Sequence, residues 1–100
     1  MYYINQKFSY ENREDRTMNL REALNKAIKA QQGRYDITNR ELAEALNVSE
    51  TQIVKYRSGI TPWQIGKLDT IAHTLKLESG WELLELAKNE ASIAEHIEAA

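Results

Sequence analysis

The sequence predicts an all-α domain of five helices, and two observations carry that prediction. A cap-forming residue is followed three positions later by Glu or Gln at five places: Asn19/Glu22, Thr38/Glu41, Ser49/Gln52, Thr61/Gln64 and Ser79/Glu82. In such a capping box the cap side chain accepts from one orphan amide of the first turn, and the acidic or amide side chain reaches back to another. Asn19 is a variant, since the motif proper uses Ser or Thr. Each cap also opens a run whose apolar residues recur with helical period. None of these helices is long enough to persist alone in water, so their stripes predict one shared core.

Length and composition set the outer bounds. One hundred residues suit a single small domain with a modest core. The chain has no Cys, which removes a disulfide framework and a thiolate metal site. No apolar run approaches a membrane span, and the charged start MYYINQKFSYENRED is not a signal peptide. A cytoplasmic protein with no membrane partner is the expectation.

Met1–Met18 reads as a short N-terminal arm. Tyr2, Ile4 and Phe8 take alternate positions, a strand signal broken at Gln6, whereas Tyr10–Met18 is charged and shows no period. In the first helix Leu20, Ala23, Leu24, Ala27 and Ile28 form the i, i+3, i+4, i+7, i+8 stripe, and Gly33 is expected to close it. The second helix spans about Asn39–Leu46 and the third about Glu50–Ser58, with Gly59 as a left-handed end. The fourth is expected to begin after Thr61 with Pro62 at its first position, where a missing N–H costs nothing. It would turn Ile65, Leu68, Ile71, Ala72 and Leu75 inward. Gly66 there reads either as a close-packing site or as a plain loss of helix propensity. The fifth starts at Ser79 and buries some of Trp81, Leu83, Leu84, Leu86 and Ala87. Asn89–Ala100 keeps Ile93 and Ile97 four apart, as a helical extension offering a dimer ridge or as a tail folded back on the core.

The chain is organised around Thr38–Gly59, TNRELAEALNVSETQIVKYRSG. Leu42, Ala43 and Leu46 share one face of the second helix, and Ile53 and Tyr56 one face of the third. Ala43 is small enough for a close helix crossing, and Asn47 sits at the sharp turn, where Asn tolerates φ > 0. With Val48, Ser49 and Gly59 added, the stretch resembles the phage repressor and Cro (Xre-type) helix-turn-helix proteins. The resemblance extends from Leu20 to Ala87. Two positions depart from the family. Asn47 replaces a common turn glycine, and Arg57 stands where Glu usually precedes the glycine by two. That second change reverses a charge which in the family often pairs with a basic residue on the first helix; it removes the ion pair, not the fold.

The resemblance implies a five-helix bundle of the phage-repressor-like helix-turn-helix type. The arm would occupy 1–18, the DNA-binding domain 19–88 and the helical extension or tail 89–100. It also implies a sequence-specific transcriptional regulator, most often a repressor. As a homodimer it would read an inverted repeat in double-stranded DNA, the third helix in the major groove. The arm could then pair with a partner subunit or reach along DNA, although Lys7 is the only basic residue of Met1–Ser9. The other reading of the arm is a loosely packed terminus.

Base contacts in the family come from positions matching Glu50, Thr51 and Lys55, with Gln52 and Val54 beside them. Lys55 can donate to guanine O6 and N7, Gln52 can pair with adenine, and Thr51 and Val54 can touch a thymine methyl. A good bidentate pair discriminates by about 1–3 kcal/mol. Gln52 has an equal competing role, reaching back to Ser49 in its capping box. Glu50 is favoured at a helix start in any case, and near phosphates it would select cytosine or exclude wrong sites rather than add affinity. Lys55 lies one turn from Thr51 on the same face. Ser58 is the last outward residue.

Phosphate contacts would fix register. The candidates are exposed amides at helix starts, which bind anions through free N–H groups and the dipole: Asn39 and Arg40 at the second helix, Ser49 at the third, and Thr61–Trp63 at the fourth. Arg34, Arg57 and Lys67 are the nearest basic residues, and Arg57 also suits a helix C-terminus. Trp63 reads as a partial core plug more readily than as a surface for the sugar–phosphate chain.

The net charge of −2 is unevenly spread. Met1–Gly33 carries six basic and four acidic residues, Arg34–Lys67 five and four, and Leu68–Ala100 two and seven. The acid therefore gathers away from the candidate DNA face, and local field governs encounter with phosphate. A weakly positive first two-thirds implies that affinity leans on a dimer. His73, on the outer side of the fourth helix, and His96 stand apart without an HExxH pattern, so no metal is expected. There is no Gly-rich phosphate loop and no Ser–His–Asp spacing, hence no expected catalytic residue or cofactor. The rival class is a protein-interaction module or an antitoxin that holds a partner such as a toxin or an anti-repressor, for which the acidic last third is suited.

Overall fold

The computed structural model describes residues 18–99, with side chains through residue 93. Among the described residues all regular structure is helical: α1 (Leu20–Tyr35), α2 (Asn39–Leu46), α3 (Glu50–Arg57), α4 (Leu68–Thr74) and α5 (Gly80–Ala99), with a 3₁₀ turn at Ile65–Lys67. The alternation over Tyr2–Phe8, the charged stretch from Tyr10 to Thr17, and the Ile97 and His96 side chains lie outside the described residues.

The predicted caps open four of the five helices. Asn19 and Glu22 form both halves of their box at 2.9 and 3.1 Å. Thr38 and Glu41 do the same at 3.1 and 2.8 Å. Ser49 caps α3 by accepting from the Gln52 amide at 3.1 Å. At α5 the box is displaced by one residue, since Glu82 accepts the Glu78 amide at 2.8 Å rather than that of Ser79. Thr61/Gln64 opens no helix. Thr61 is a bend, Pro62–Gln64 are irregular, and α4 begins only at Leu68.

The core draws Ala23, Leu24, Ala27 and Ile28 from α1, Leu42, Ala43 and Leu46 from α2, and Ile53 and Tyr56 from α3. Ile71, Ala72 and Leu75 enter around α4, and Leu83 and Ala87 from α5. Two further members, Ile37 and Trp63, come from connecting segments. Several expectations are corrected here. Leu20 is 67% exposed, because the inward stripe of α1 starts one turn later at Ala23. Ile65 is 85% exposed, since the helix that would have turned it inward has not begun. Gly66 has no neighbour that a Cβ would meet, so it makes no close packing. Trp81 is 79% exposed on the outer side of α5, while Leu84 and Leu86 are half-buried.

Gly33 does not close α1, which runs two residues further. Asp36 takes the left-handed conformation at φ 56° instead. The amides of Asp36 and Ile37 both reach the Gln32 carbonyl, and Ile37 folds into the core behind them. This is a helix end secured by an apolar contact, with Asp36, whose short polar side chain tolerates the left-handed region, ending the helix in place of Gly33. α3 ends at Arg57, one residue earlier than predicted, with Ser58 as its cap; Gly59 at φ 85° is left-handed as predicted. α5 continues unbroken through Lys88 and Asn89 to Ala99, so no break in helix marks the 88/89 boundary.

Two ties hold the frame. The Gln31 amide donates to the Leu75 carbonyl at 3.0 Å, joining α1 to the end of α4. Gly80 donates its N–H to Asp69 Oδ1 at 2.7 Å, and a Cβ there would stand 3.0–3.1 Å from Asp69 Oδ1 and Leu68 Cβ. Glycine lets the start of α5 approach α4 this closely without pushing those neighbours aside. No helix of the described residues is long and apolar enough to cross a membrane.

Candidate functional site

α3 is fastened from beneath. Ile53 is wholly buried and Tyr56 nearly so, and the Tyr56 ring stacks on Trp63 with centroids 4.7 Å apart. The tight turn before it is set by Asn47 at φ 59°, whose N–H reaches the carbonyls of Ala43 and Glu44. Val48 follows with its N–H on the Ala43 carbonyl at 3.0 Å. The turn thus satisfies the last carbonyls of α2 and launches α3 with a single three-residue connection, Asn47–Ser49.

The other side of α3 carries the candidate base-reading residues. Glu50, Thr51, Val54, Lys55 and Ser58 are exposed, and Gln52 is half-buried. Thr51 and Lys55 stand one turn apart, about 6 Å along the axis. Val54 beside them is 53% exposed, which adds an apolar surface to two polar ones. Gln52 is not committed to its cap. Its amide N–H goes to Ser49, but the reciprocal bond from its side chain to Ser49 N is absent, so that side chain stays available.

A second cluster forms at the start of α2. Asn39 Oδ1 accepts from Arg57 at 3.0 Å and from the Gln32 amide at 3.0 Å, and the same Gln32 nitrogen donates to the Ile37 carbonyl at 3.0 Å. Three helices meet in those bonds: the C-terminal ends of α1 and α3 and the N-terminus of α2. Gln32 is buried, and its Oε1 has no partner among the described residues. The cluster borders an open depression that Lys29, Asp36 and Thr38 also line. Thr38 and Glu41 consume each other's amides, while the Asn39 and Arg40 amides have no acceptor inside their own helix.

The remaining phosphate candidates are dispersed. Arg34 is exposed in the last turn of α1, and Ser49 is exposed at the α3 cap. Arg40 is exposed and pairs loosely with Glu44 at 3.8 Å. Lys67 is exposed on the 3₁₀ turn. Arg57 does not stand free at a helix end but spans 18 residues to hold Asn39. Thr61–Trp63 is corrected as an anion site. No helix starts there, the Thr61 amide is spent on the Lys55 carbonyl at 3.2 Å, and Trp63 is buried with its indole N–H donated to Asn25 Oδ1. His73 is exposed, its Nε2 2.9 Å from the Glu78 carbonyl.

Four contributors escaped the sequence reading: Gln32, Asn25, Arg21 and Gly80. Gln31 and Gln32 continue the α1 stripe by i+3 and i+4 from Ile28, and a polar residue in a buried register is a signal that it holds a specific partner. Arg21 donates to the Gly59 carbonyl at 3.1 Å, securing the far end of α3 to α1; nothing in the local pattern announces a bond across 38 residues. Among known proteins no family model, curated sequence or solved structure matches this chain.

Proposed function

We propose that the chain is a sequence-specific DNA-binding regulator of the phage-repressor-like helix-turn-helix type, with α3 as the helix that enters the major groove. The observation that carries this reading is the two-sidedness of α3: Ile53 and Tyr56 are spent on the core, while Thr51, Val54 and Lys55 are exposed together. A short helix so fastened presents a rigid surface of polar and apolar groups of the kind that base edges accept. Lys55 then reads guanine, and Thr51 and Val54 meet thymine methyls, with the unspent Gln52 side chain at hand for adenine. The Asn39 and Arg40 amides at the start of α2 supply a phosphate anchor, the helix dipole adding to their charge.

Arg57 and Gln32 serve this anchor from behind, by fixing Asn39, and so act as positioning residues rather than as contacts. The excess of acid after Leu68 keeps that end of the domain away from the duplex. A homodimer on an inverted repeat adds the binding free energy of a second half-site to a modest per-subunit affinity and places two copies of α3 about 34 Å apart.

The test is a gel shift of the full chain on a random duplex pool at a series of salt concentrations. A DNA reader retards part of the pool, and its affinity falls linearly on a log–log scale as salt rises, through counterion release. No retardation even at low salt would remove the reading and leave an interaction module in its place.

A further inference from the structure

We infer that the pocket between the α2–α3 turn and the Trp63–Lys67 segment is a binding site for a small monocarboxylate with an apolar body about one ring in size. The pocket encloses about 240 Å³. Leu46 and Val48 supply an aliphatic wall, and the stacked Tyr56–Trp63 pair an aromatic one. The Trp63 ring is pinned by its bond to Asn25, so this wall is preformed rather than assembled by a ligand.

The polar groups select the ligand's charge. Lys67 and Gln64 stand exposed on the lining, and no Asp or Glu belongs to it. Among the described residues Lys67 makes no ion pair. Lys67 is the only charged residue of the lining, so a cationic ligand would meet its repulsion and a neutral apolar one would leave the ammonium unused. One carboxylate answers one ammonium, with the Gln64 amide able to donate to its second oxygen. The volume is below the range typical of drug-sized ligands, which sets the scale at a small molecule such as a single ring. The walls include Asn47 of the turn and Tyr56 of α3, so an occupant bears directly on the elements that set the angle of α3. The inference stands on the pocket and does not depend on what α3 binds.

Benzoate is the probe, with benzamide as its uncharged counterpart. The chain has two tryptophans, whose indole N–H signals are to be followed by NMR and assigned with Trp81→Phe. Trp81 is 79% exposed and outside the lining, and is the internal control. The expected result is a saturable displacement of the Trp63 signal by benzoate with Trp81 unmoved. Benzamide and the Lys67→Met variant should each weaken binding about tenfold, the scale of one hydrogen bond to a charged group. Lys67 is exposed, so a thermal melt should show the variant folded. Displacements that rise linearly without saturation, that move both tryptophans alike, or that are equal for benzoate and benzamide would overturn the assignment.

Discussion

The two junctions that flank α3 look alike in sequence and differ in structure. Ser49/Gln52 and Thr61/Gln64 are both Ser/Thr followed three residues on by Gln, and both precede apolar residues. The first opens α3 with the Ser49 hydroxyl on the Gln52 amide. The second opens nothing, and the chain stays irregular until the 3₁₀ turn at Ile65. A capping signature is a local preference of about 1 kcal/mol, and it decides the outcome only where packing agrees. After Ser49 it agrees, because Ile53 and Tyr56 fall inward from a helix begun there. After Thr61 it does not. Trp63 must reach both the Tyr56 ring and Asn25, and burying a large aromatic outweighs a cap several-fold.

The largest effect that sharpens this contrast is at Trp63. Trp63→Ala should destabilise the domain by about 3–5 kcal/mol, read from urea denaturation with an unchanged slope. A loss under 1 kcal/mol would mean that Trp63 does not hold the irregular segment in place. Next comes the left-handed residue that ends the α3 connection. Gly59→Ala meets no neighbour, so its cost is backbone alone, about 1–2 kcal/mol at φ 85°. The same urea denaturation should show no loss if that residue can relax to a negative φ.

A smaller effect separates the two caps directly. Ser49→Ala should cost about 1 kcal/mol, whereas Thr61→Ala should stay within about 0.5 kcal/mol. Equal losses would erase the difference between the junctions. Smallest is the turn itself. Asn47→Gly relieves a left-handed Asn but loosens the unfolded chain, so the two nearly cancel and stability should move by less than about 0.5 kcal/mol. A larger loss would show that the Asn47 side chain does more than tolerate the turn.

What the sequence displayed and what it concealed follow the same division. The helices α1, α2, α3 and α5 were legible because each joins a cap to an apolar stripe, and the exposure of Thr51, Val54 and Lys55 follows from the register of Ile53 and Tyr56. The late start of α4 was not legible. It depends on where Trp63 finds partners, and Asn25 lies 38 residues away. The Asn39 cluster was half visible. Asn39 and Arg57 stood out separately, one as a helix start and the other as a charge reversal, but the bond between them is a product of tertiary packing. In that bond the Arg57 side chain makes a charge-assisted hydrogen bond to an amide oxygen, which ties α3 to α2 without an acidic partner.

The role of α3 is tested most directly by a parallel selection of duplexes from a random pool by the unaltered chain and by Lys55→Ala. Both should recover inverted repeats with half-site centres about one helical turn apart. The variant should lose base preference at one position in each half-site and keep it elsewhere. Recovery of identical sequences by the two proteins, or of no enriched duplex by either, would contradict the assignment of α3 to the groove.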